Sequence, residues 1–257
     1  MQLHHKVIGA GEPIVILHGL FGMLDNWQTL AKQLAEDYLV YLVDQRNHGR
    51  SPRAAAHGYP EMADDLHRFL TDQGIPAATV LGHSMGGKTA MQFALTHPEM
   101  TERLVVVDIA PKAYAGGHES IIAALQALHP ERLDSRSEAE AILAPRIPEL
   151  GVRQFLLKNL SRDKAGGYRL KMNLDVLARE YPRIMADIEL ANPSPYTGPA
   201  LFVRGGRSAY VQDEDRPRIE ALFPAARLHT VANAGHWVHA QAPKVLLQVL
   251  RDFLKAT

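Results

Sequence analysis

A serine hydroxyl is a weak nucleophile until a base takes its proton, so a serine that does covalent chemistry must stand clear of the packing and meet an imidazole. Val80-Leu81-Gly82-His83-Ser84-Met85-Gly86-Gly87 has the composition for the first requirement. It is G-x-S-x-G placed between an apolar run and a helical stretch. A sharp turn from strand to helix is strained and crowded, and small residues at Gly82 and Gly86 make room for it. Gly87 lets the helix come close. Such a turn lifts the Ser84 hydroxyl above a sheet, near the positive end of a helix dipole. A chance glycine-rich turn with an idle serine is the competing explanation, and the flanking strand and helix weigh against it.

The base must come from elsewhere in the chain. His236 follows the last apolar run, in Val231-Ala232-Asn233-Ala234-Gly235-His236, and precedes the final helical stretch. His239, three residues on, lies nearer the helix start and is the weaker candidate. The acid is less obvious. The loop after Ala200-Leu201-Phe202-Val203, a usual place for it, reads Gly205-Gly206-Arg207-Ser208-Ala209-Tyr210 and holds no carboxylate. Asp213 and Asp215 come later, where capping of a helix explains them. Asp108 follows the strongly apolar Val105-Val106-Val107, and a carboxylate immediately after such a run must be paired or hydrogen-bonded. The reading is therefore Ser84, Asp108 and His236, with His236 taking the serine proton and Asp108 fixing its tautomer.

An acyl carbonyl attacked by Ser84 develops negative charge that backbone N–H groups can hold. The N–H of Met85 is one donor expected from the turn. The second is expected in His18-Gly19-Leu20-Phe21-Gly22, from Leu20 first and Phe21 next, with His18 ordering that loop. The reaction is acyl transfer from an ester or thioester to water, and no metal or organic cofactor is needed. Phe21, Tyr210, Trp237 and Phe155 are the candidate substrate contacts. Met172, Leu174 and Leu177 have helix packing as the better role. Asp44 and Arg46 order their own loop.

The elements must put these residues together. Ile14-Val15-Ile16-Leu17, Leu39 to Val43, Ala77 to Leu81 and Leu104 to Val107 read as buried strands. Between them, Asn26 to Glu36, Tyr59 to Gln73 and Lys88 to Thr96 have helical spacing, and Gly74 closes the second. That alternation is the pattern of a parallel sheet covered on both faces. It breaks after Pro111. From about Lys112 to Pro195 the patterns are helical, over Ser120 to Leu128, Ser137 to Ala144, Val152 to Leu160 and Leu174 to Ala178, with no strand evident. It resumes with a strand at Ala200 to Val203, a helix around Arg216 to Leu222, a strand at Arg227 to Val231 and a helix from Pro243 to Leu254. The division expected is an α/β core over 1–111 and 196–257 with a helical cap over 112–195.

His18-Gly19, Asp44-Gln45-Arg46-Asn47-His48-Gly49-Arg50-Ser51, Gly82-His83-Ser84-Met85-Gly86-Gly87, Val107-Asp108-Ile109-Ala110-Pro111 and Ala234-Gly235-His236-Trp237 together resemble the α/β-hydrolase superfamily. More narrowly they resemble the small YbfF-type esterases and the related mitochondrial α/β-hydrolase-domain esterases of animals. The likeness runs through Arg153-Gln154-Phe155-Leu156-Leu157-Lys158-Asn159-Leu160 and Gly-Gly-Arg-Ser-Ala-Tyr-Val at 205–211. It implies the α/β-hydrolase fold, a mostly parallel central sheet flanked by helices with a helical cap inserted after the sixth strand. It also implies a triad acid at Asp108 and carboxylesterase activity on short acyl esters, with acyl-CoA thioesters as possible substrates.

The 257 residues suffice for one large α/β domain with an insertion. Lys plus Arg and Asp plus Glu are 28 each, so no net charge draws the chain to nucleic acid or an anionic membrane. There is no cysteine, which excludes a disulfide framework and a Cys-ligated metal. Met1-Gln2-Leu3-His4-His5-Lys6-Val7 does not read as a secretory leader, and no apolar run approaches the roughly 18 residues of a spanning helix. Cytoplasmic location is the expectation. The expected partner is a small acyl ester or thioester, with no nucleic acid and no membrane span; oligomeric state is open. Serine at 84 excludes the dehalogenases and epoxide hydrolases that need aspartate there. Perhydrolase and carbon–carbon hydrolase activities use the same triad and stay open, and two further alternatives stand. Lys158, Arg162, Lys164, Arg169 and Lys171 could hold the phosphates of a coenzyme A thioester, against a solvated basic face as the plainer account. A slow-turnover ligand receptor that retains the triad is the other.

Overall fold

The computed structural model describes residues 1–164, 166–190 and 194–256. Seven strands form one sheet in the order β1-β3-β2-β4-β5-β8-β9. They are β1 (His5–Ile8), β2 (Pro13–Leu17), β3 (Leu39–Val43), β4 (Ala78–His83), β5 (Thr101–Val107), β8 (Ala200–Gly205) and β9 (Ala226–Val231). β1 pairs antiparallel with β3, and every other neighbouring pair is parallel. The edge strand β1, with Lys6 and His5 in it, carries too little apolar pattern to be legible in sequence.

Side chains alternate across each strand, and the alternation sorts the core into two halves. Leu17, Val80, Leu104, Val106 and Phe202 face one side, against α2 (Tyr59–Asp72), α3 (Met85–Thr96) and α9 (Arg216–Leu222). Ile14, Ile16, Leu81, Val105, Val107 and Val203 face the other, against α1 (Gln28–Leu34) and α11 (Pro243–Lys255). Each fully buried Val, Leu or Ile contributes roughly 1.5–3 kcal/mol of transfer free energy, which is what holds a sheet with two greasy faces between helices. Gly74, at φ +66°, ends α2 in the left-handed conformation, as its position after the helical stretch implied.

Between β5 and β8 the chain builds α4 (Glu119–Gln126), α5 (Arg136–Leu143), α6 (Leu150–Leu157), α7 (Leu174–Arg179) and α8 (Tyr181–Met185). These pack a third apolar cluster that includes Leu125, Leu143, Leu156, Leu177 and Tyr181 together with Leu20, Phe21 and Met85 from beside the sheet. Two expectations are corrected. The inserted segment leaves after the fifth strand in chain order, not the sixth, because only β1 to β5 precede it. It also contains strands, the antiparallel pair β6 (Leu160–Arg162) and β7 (Tyr168–Leu170). Each has three residues, too few for an alternation to register, and Leu160 had been expected to continue the preceding helix. Residues 191–193, near the expected end of the insertion, lie outside the described residues.

The register explains where a site can form. Leu17 pairs with Gly82, His83 with Val107, and Val107 with Val203, so β2, β4, β5 and β8 end level with one another. Their carboxyl ends therefore deliver His18, Ser84, Asp108 and the 205–210 loop to one rim of the sheet, the usual location of sites in open parallel sheets. His236 arrives there after β9, just before α10 (Val238–Gln241).

Candidate active site

Ser84 has φ 54° and ψ −122°, outside the conformations that L-residues favour. Its N–H donates to the Val107 carbonyl at 3.0 Å, so the turn is tied to the neighbouring strand. A Cβ at Gly82 would lie 2.0 Å from the Gly86 oxygen, and one at Gly86 would lie 2.5 Å from the Leu17 and His18 oxygens. At Gly87 it would lie 2.6 Å from the Ile109 side chain. The helix starts directly at Met85 rather than at Lys88, because the glycines fold into its first turn. Among the described residues the Ser84 hydroxyl has no hydrogen-bond partner.

Asp108 sits at φ 54° with its carboxylate fully buried. Its N–H donates to the Val203 carbonyl at 2.8 Å. Three donors converge on the carboxylate. The Gly205 N–H reaches Oδ1 at 2.8 Å, and Oδ2 receives the Ser208 hydroxyl and, at 2.8 Å, His236 Nδ1. A carboxylate accepts, so Nδ1 carries the proton and Nε2 is left as the basic nitrogen of His236. Two further contacts hold that residue. His83 Nε2–H donates to the His236 carbonyl at 2.9 Å. The Tyr210 ring stacks on the imidazole, centroids 4.0 Å apart and planes 21° apart. Ser84 and His236 line one cavity of about 230 Å³. The serine and the imidazole are not hydrogen-bonded to each other, which is common where the site awaits substrate.

Leu20 and Met85 also stand at this rim, and among the described residues neither N–H has a hydrogen-bond partner. The Phe21 N–H is taken by His48 Nε2 at 3.2 Å, which separates it from Leu20 as a donor to substrate. The loop they occupy is braced by neutral imidazoles. His18 donates from Nδ1 to the Gly19 carbonyl at 2.9 Å and accepts the Gln45 N–H at Nε2 at 3.1 Å. His48 donates from Nδ1 to the Arg46 carbonyl at 3.0 Å. Burial pushes His18 down to about 4 and His48 to about 3, so both stay uncharged at neutral pH and can accept. His57 sets its Nε2 3.4 Å from Met85 Sδ, and Asn159 Nδ2 donates to the Phe21 carbonyl at 2.7 Å. Sequence reasoning assigned no role to His48, His57, His83, Asn159 or Ser208. Serine in place of a carboxylate at 208, in the loop where an acid is usual, was the available signal for the last.

The four candidate substrate contacts, Phe21, Phe155, Tyr210 and Trp237, all line the cavity, with the Phe155 and Trp237 rings 5.8 Å apart. Trp27, His83, His118 and His239 line it as well. His239 stacks on Trp27 at 4.4 Å, burial lowers its pKa to about 4, and among the described residues no carboxylate orients it as Asp108 orients His236. Asp213 is exposed and pairs with Arg204 at 2.8 Å, while Asp215 pairs with Lys112 at 2.7 Å, so neither approaches an imidazole. Asp44 accepts from the Leu24 and Arg50 N–H groups and Arg46 pairs with Asp65, each ordering its own loop. Met172, Leu174 and Leu177 are buried in the third apolar cluster and do not line the cavity. Lys158, Arg162, Lys164, Arg169 and Lys171 do not line it either. Among the described residues no group of His, Asp and Glu side chains is arranged to hold a metal. No helix among them is long and apolar enough to cross a membrane.

Comparison with known proteins gives the same fold. Residues 12–243 match the family model described as alpha/beta hydrolase fold. The chain is 42% identical over 244 residues to Esterase YbfF of Escherichia coli (strain K12), spanning 95% of this chain and 93% of that protein. It is also 42% identical over 249 residues to the sn-1-specific diacylglycerol lipase ABHD11 of Mus musculus, spanning 94% of this chain and 80% of that protein. Among solved structures, a marine microorganism esterase superposes with a TM-score of 0.95 at 43% identity, covering 98% of this chain and 99% of the other.

Proposed function

The chain belongs to the alpha/beta hydrolase fold family, and from that premise we propose that it is a serine carboxylesterase cleaving short- to medium-chain acyl esters through an acyl-enzyme on Ser84. The observation that carries this is the Asp108–His236 contact at 2.8 Å in a fully buried setting. It leaves His236 with a basic Nε2 in a ring that shares a cavity with an unpartnered serine hydroxyl.

Ser84 attacks the acyl carbon as His236 Nε2 takes its proton. The developing oxyanion is held by the N–H groups of Leu20 and Met85, neither of which has another partner among the described residues. The leaving alcohol or thiol receives its proton from His236. Water, activated by the same imidazole, then attacks the acyl-enzyme and returns Ser84. Asp108 holds the Nδ1 proton of His236 throughout and stabilises the imidazolium. The chemistry calls for no metal or organic cofactor. Phe21, Phe155, Trp237 and Tyr210 provide apolar walls suited to the alkyl parts of an ester. Residues 112–195 act as a cap over a core formed by 1–111 and 196–257, and a cytoplasmic setting belongs to the same proposal.

The test is a panel of simple acyl esters and acyl-CoAs of rising chain length, with the Ser84→Ala protein as blank. Ester hydrolysis by the native chain and a fall of about 10⁴-fold or more in Ser84→Ala are expected, with the fold retained. Undiminished hydrolysis by Ser84→Ala would exclude the proposal. Exclusive turnover of acyl-CoAs would replace esterase by thioesterase.

A further inference from the structure

Proton transfer from Ser84 puts a positive charge on His236 that was absent before the attack. Asp108 meets that charge at one edge of the ring, through Nδ1 at 2.8 Å, and among the described residues it is the one carboxylate paired with His236. The neighbouring imidazoles supply no counter-charge. The His83 ring centre is 4.7 Å away, and the charge of His236 acts on His83, His118 and His239, each of which burial already lowers below the ordinary histidine range. The face of the His236 ring is met by Tyr210, with centroids 4.0 Å apart and planes 21° apart. Rings whose centres are that close and whose planes are that nearly parallel must overlap, so the imidazole lies over the Tyr210 ring and not at its edge.

Tyr210 is fixed where it stands. Its N–H donates to Ser208 Oγ at 3.2 Å, and its carbonyl accepts the Tyr114 hydroxyl at 2.7 Å. The Tyr114 ring packs against it, centroids 5.2 Å apart. The loop that sets the Ser208 hydroxyl on Asp108 therefore sets this ring on His236 as well. The Tyr210 hydroxyl has no hydrogen-bond partner among the described residues, so it is the ring that is held against its neighbours. Burial pushes the phenol up, which keeps it uncharged at neutral pH and leaves the ring to act through its face. That face is negative and attracts a cation within about 6 Å of its centre, while a neutral imidazole gains far less. We infer that Tyr210 is a positioning residue whose ring holds His236 and selectively stabilises the imidazolium formed as Ser84 attacks. The attraction exists only once the charge does, so it lowers the barrier instead of deepening the ground state, by about two- to thirtyfold in rate. This rests on the acyl-enzyme reading of Ser84. The rival role is a wall for substrate, since Tyr210 lines the cavity of about 230 Å³.

Fluorine withdraws the negative charge from a ring face while nearly keeping the ring's shape, and this separates the two roles. Tyr210→Phe is the reference, and the mono-, tri- and pentafluoro derivatives of phenylalanine are placed at the same position. Steady-state kcat and KM are measured with 4-nitrophenyl acetate. Acylation and deacylation both form the imidazolium, so kcat reads the effect whichever step limits. It is expected to fall stepwise with fluorine count, to about tenfold below the reference at five fluorines, with KM little changed. A substrate wall would move KM and leave kcat flat, and a flat or rising kcat series overturns the inference. If the fluorinated proteins do not fold, Tyr210→Leu against Tyr210→Phe decides. Leucine is apolar but has no π face, and its kcat is expected to be about tenfold lower; an equal or higher value overturns the inference. Ser84→Ala keeps the outcomes apart. Loss of hydrolysis in Ser84→Ala together with a flat series defeats only the role of Tyr210, whereas retention of hydrolysis in Ser84→Ala defeats the acyl-enzyme itself.

Discussion

Three donors meet on the Asp108 carboxylate, and each comes from a different kind of group: the Gly205 backbone, the Ser208 hydroxyl and the His236 ring. A neutral amide at 108 would keep the shape but can no longer hold Nδ1–H against two other donors, so the imidazole loses its useful tautomer. Asp108→Asn is expected to lower kcat by roughly 10³–10⁴-fold with little change in KM. Asp213→Asn, whose carboxylate is exposed and paired with Arg204, is expected to stay within about twofold. Steady-state kinetics on one simple ester measure both, and the reverse ranking would reassign the acid. At this scale Ser84, Asp108 and His236 were legible because each follows an apolar run that ends abruptly in a chemical residue. His83 and Asn159 were not. Their roles depend on partners more than 60 positions away, His236 and Phe21, and no local spacing announces such pairs.

The strand-turn-helix from β4 into α3 works because glycine occupies the positions where backbones touch. Gly82→Ala would set a methyl group 2.0 Å from a backbone oxygen that cannot swing away. The expected cost is about 3 kcal/mol or more, a fall of roughly 10 °C in Tm for a chain of this size. Gly74→Ala is the control: it has φ +66° but nothing within 4 Å, so the expected cost is the left-handed backbone alone, about 1 kcal/mol. Thermal melts compare the two, and equal effects would contradict the packing account. Elements with long runs were readable to within a few residues; Leu39–Val43 and Arg216–Leu222 have the ends expected of them. The short pair β6 and β7 was not, because its strands are fixed by pairing with each other rather than by a buried face.

The whole molecule keeps four imidazoles buried and neutral near its working rim: His18, His48, His57 and His83. Burial is the largest cause in each, lowering His18 to about 4, His48 to about 3, and His57 and His83 well below the ordinary range. Below about pH 6.5 the unfolded chain takes up protons that the folded one refuses, so stability falls as pH falls, until the folded pKa is reached. Each such group gives a slope of about 1.4 kcal/mol per pH unit. Urea midpoints are therefore expected to drop steeply between pH 6.5 and the region of the His18 value near 4, and a flat profile would contradict it. The central claim concerns covalency at one serine. Its most direct measurement is the intact mass and peptide map of the protein after treatment with a fluorophosphonate. The account predicts one adduct per chain, on the peptide holding Ser84, with loss of ester hydrolysis in proportion. A fully active protein left unmodified, or one inactivated by an adduct elsewhere, would contradict it.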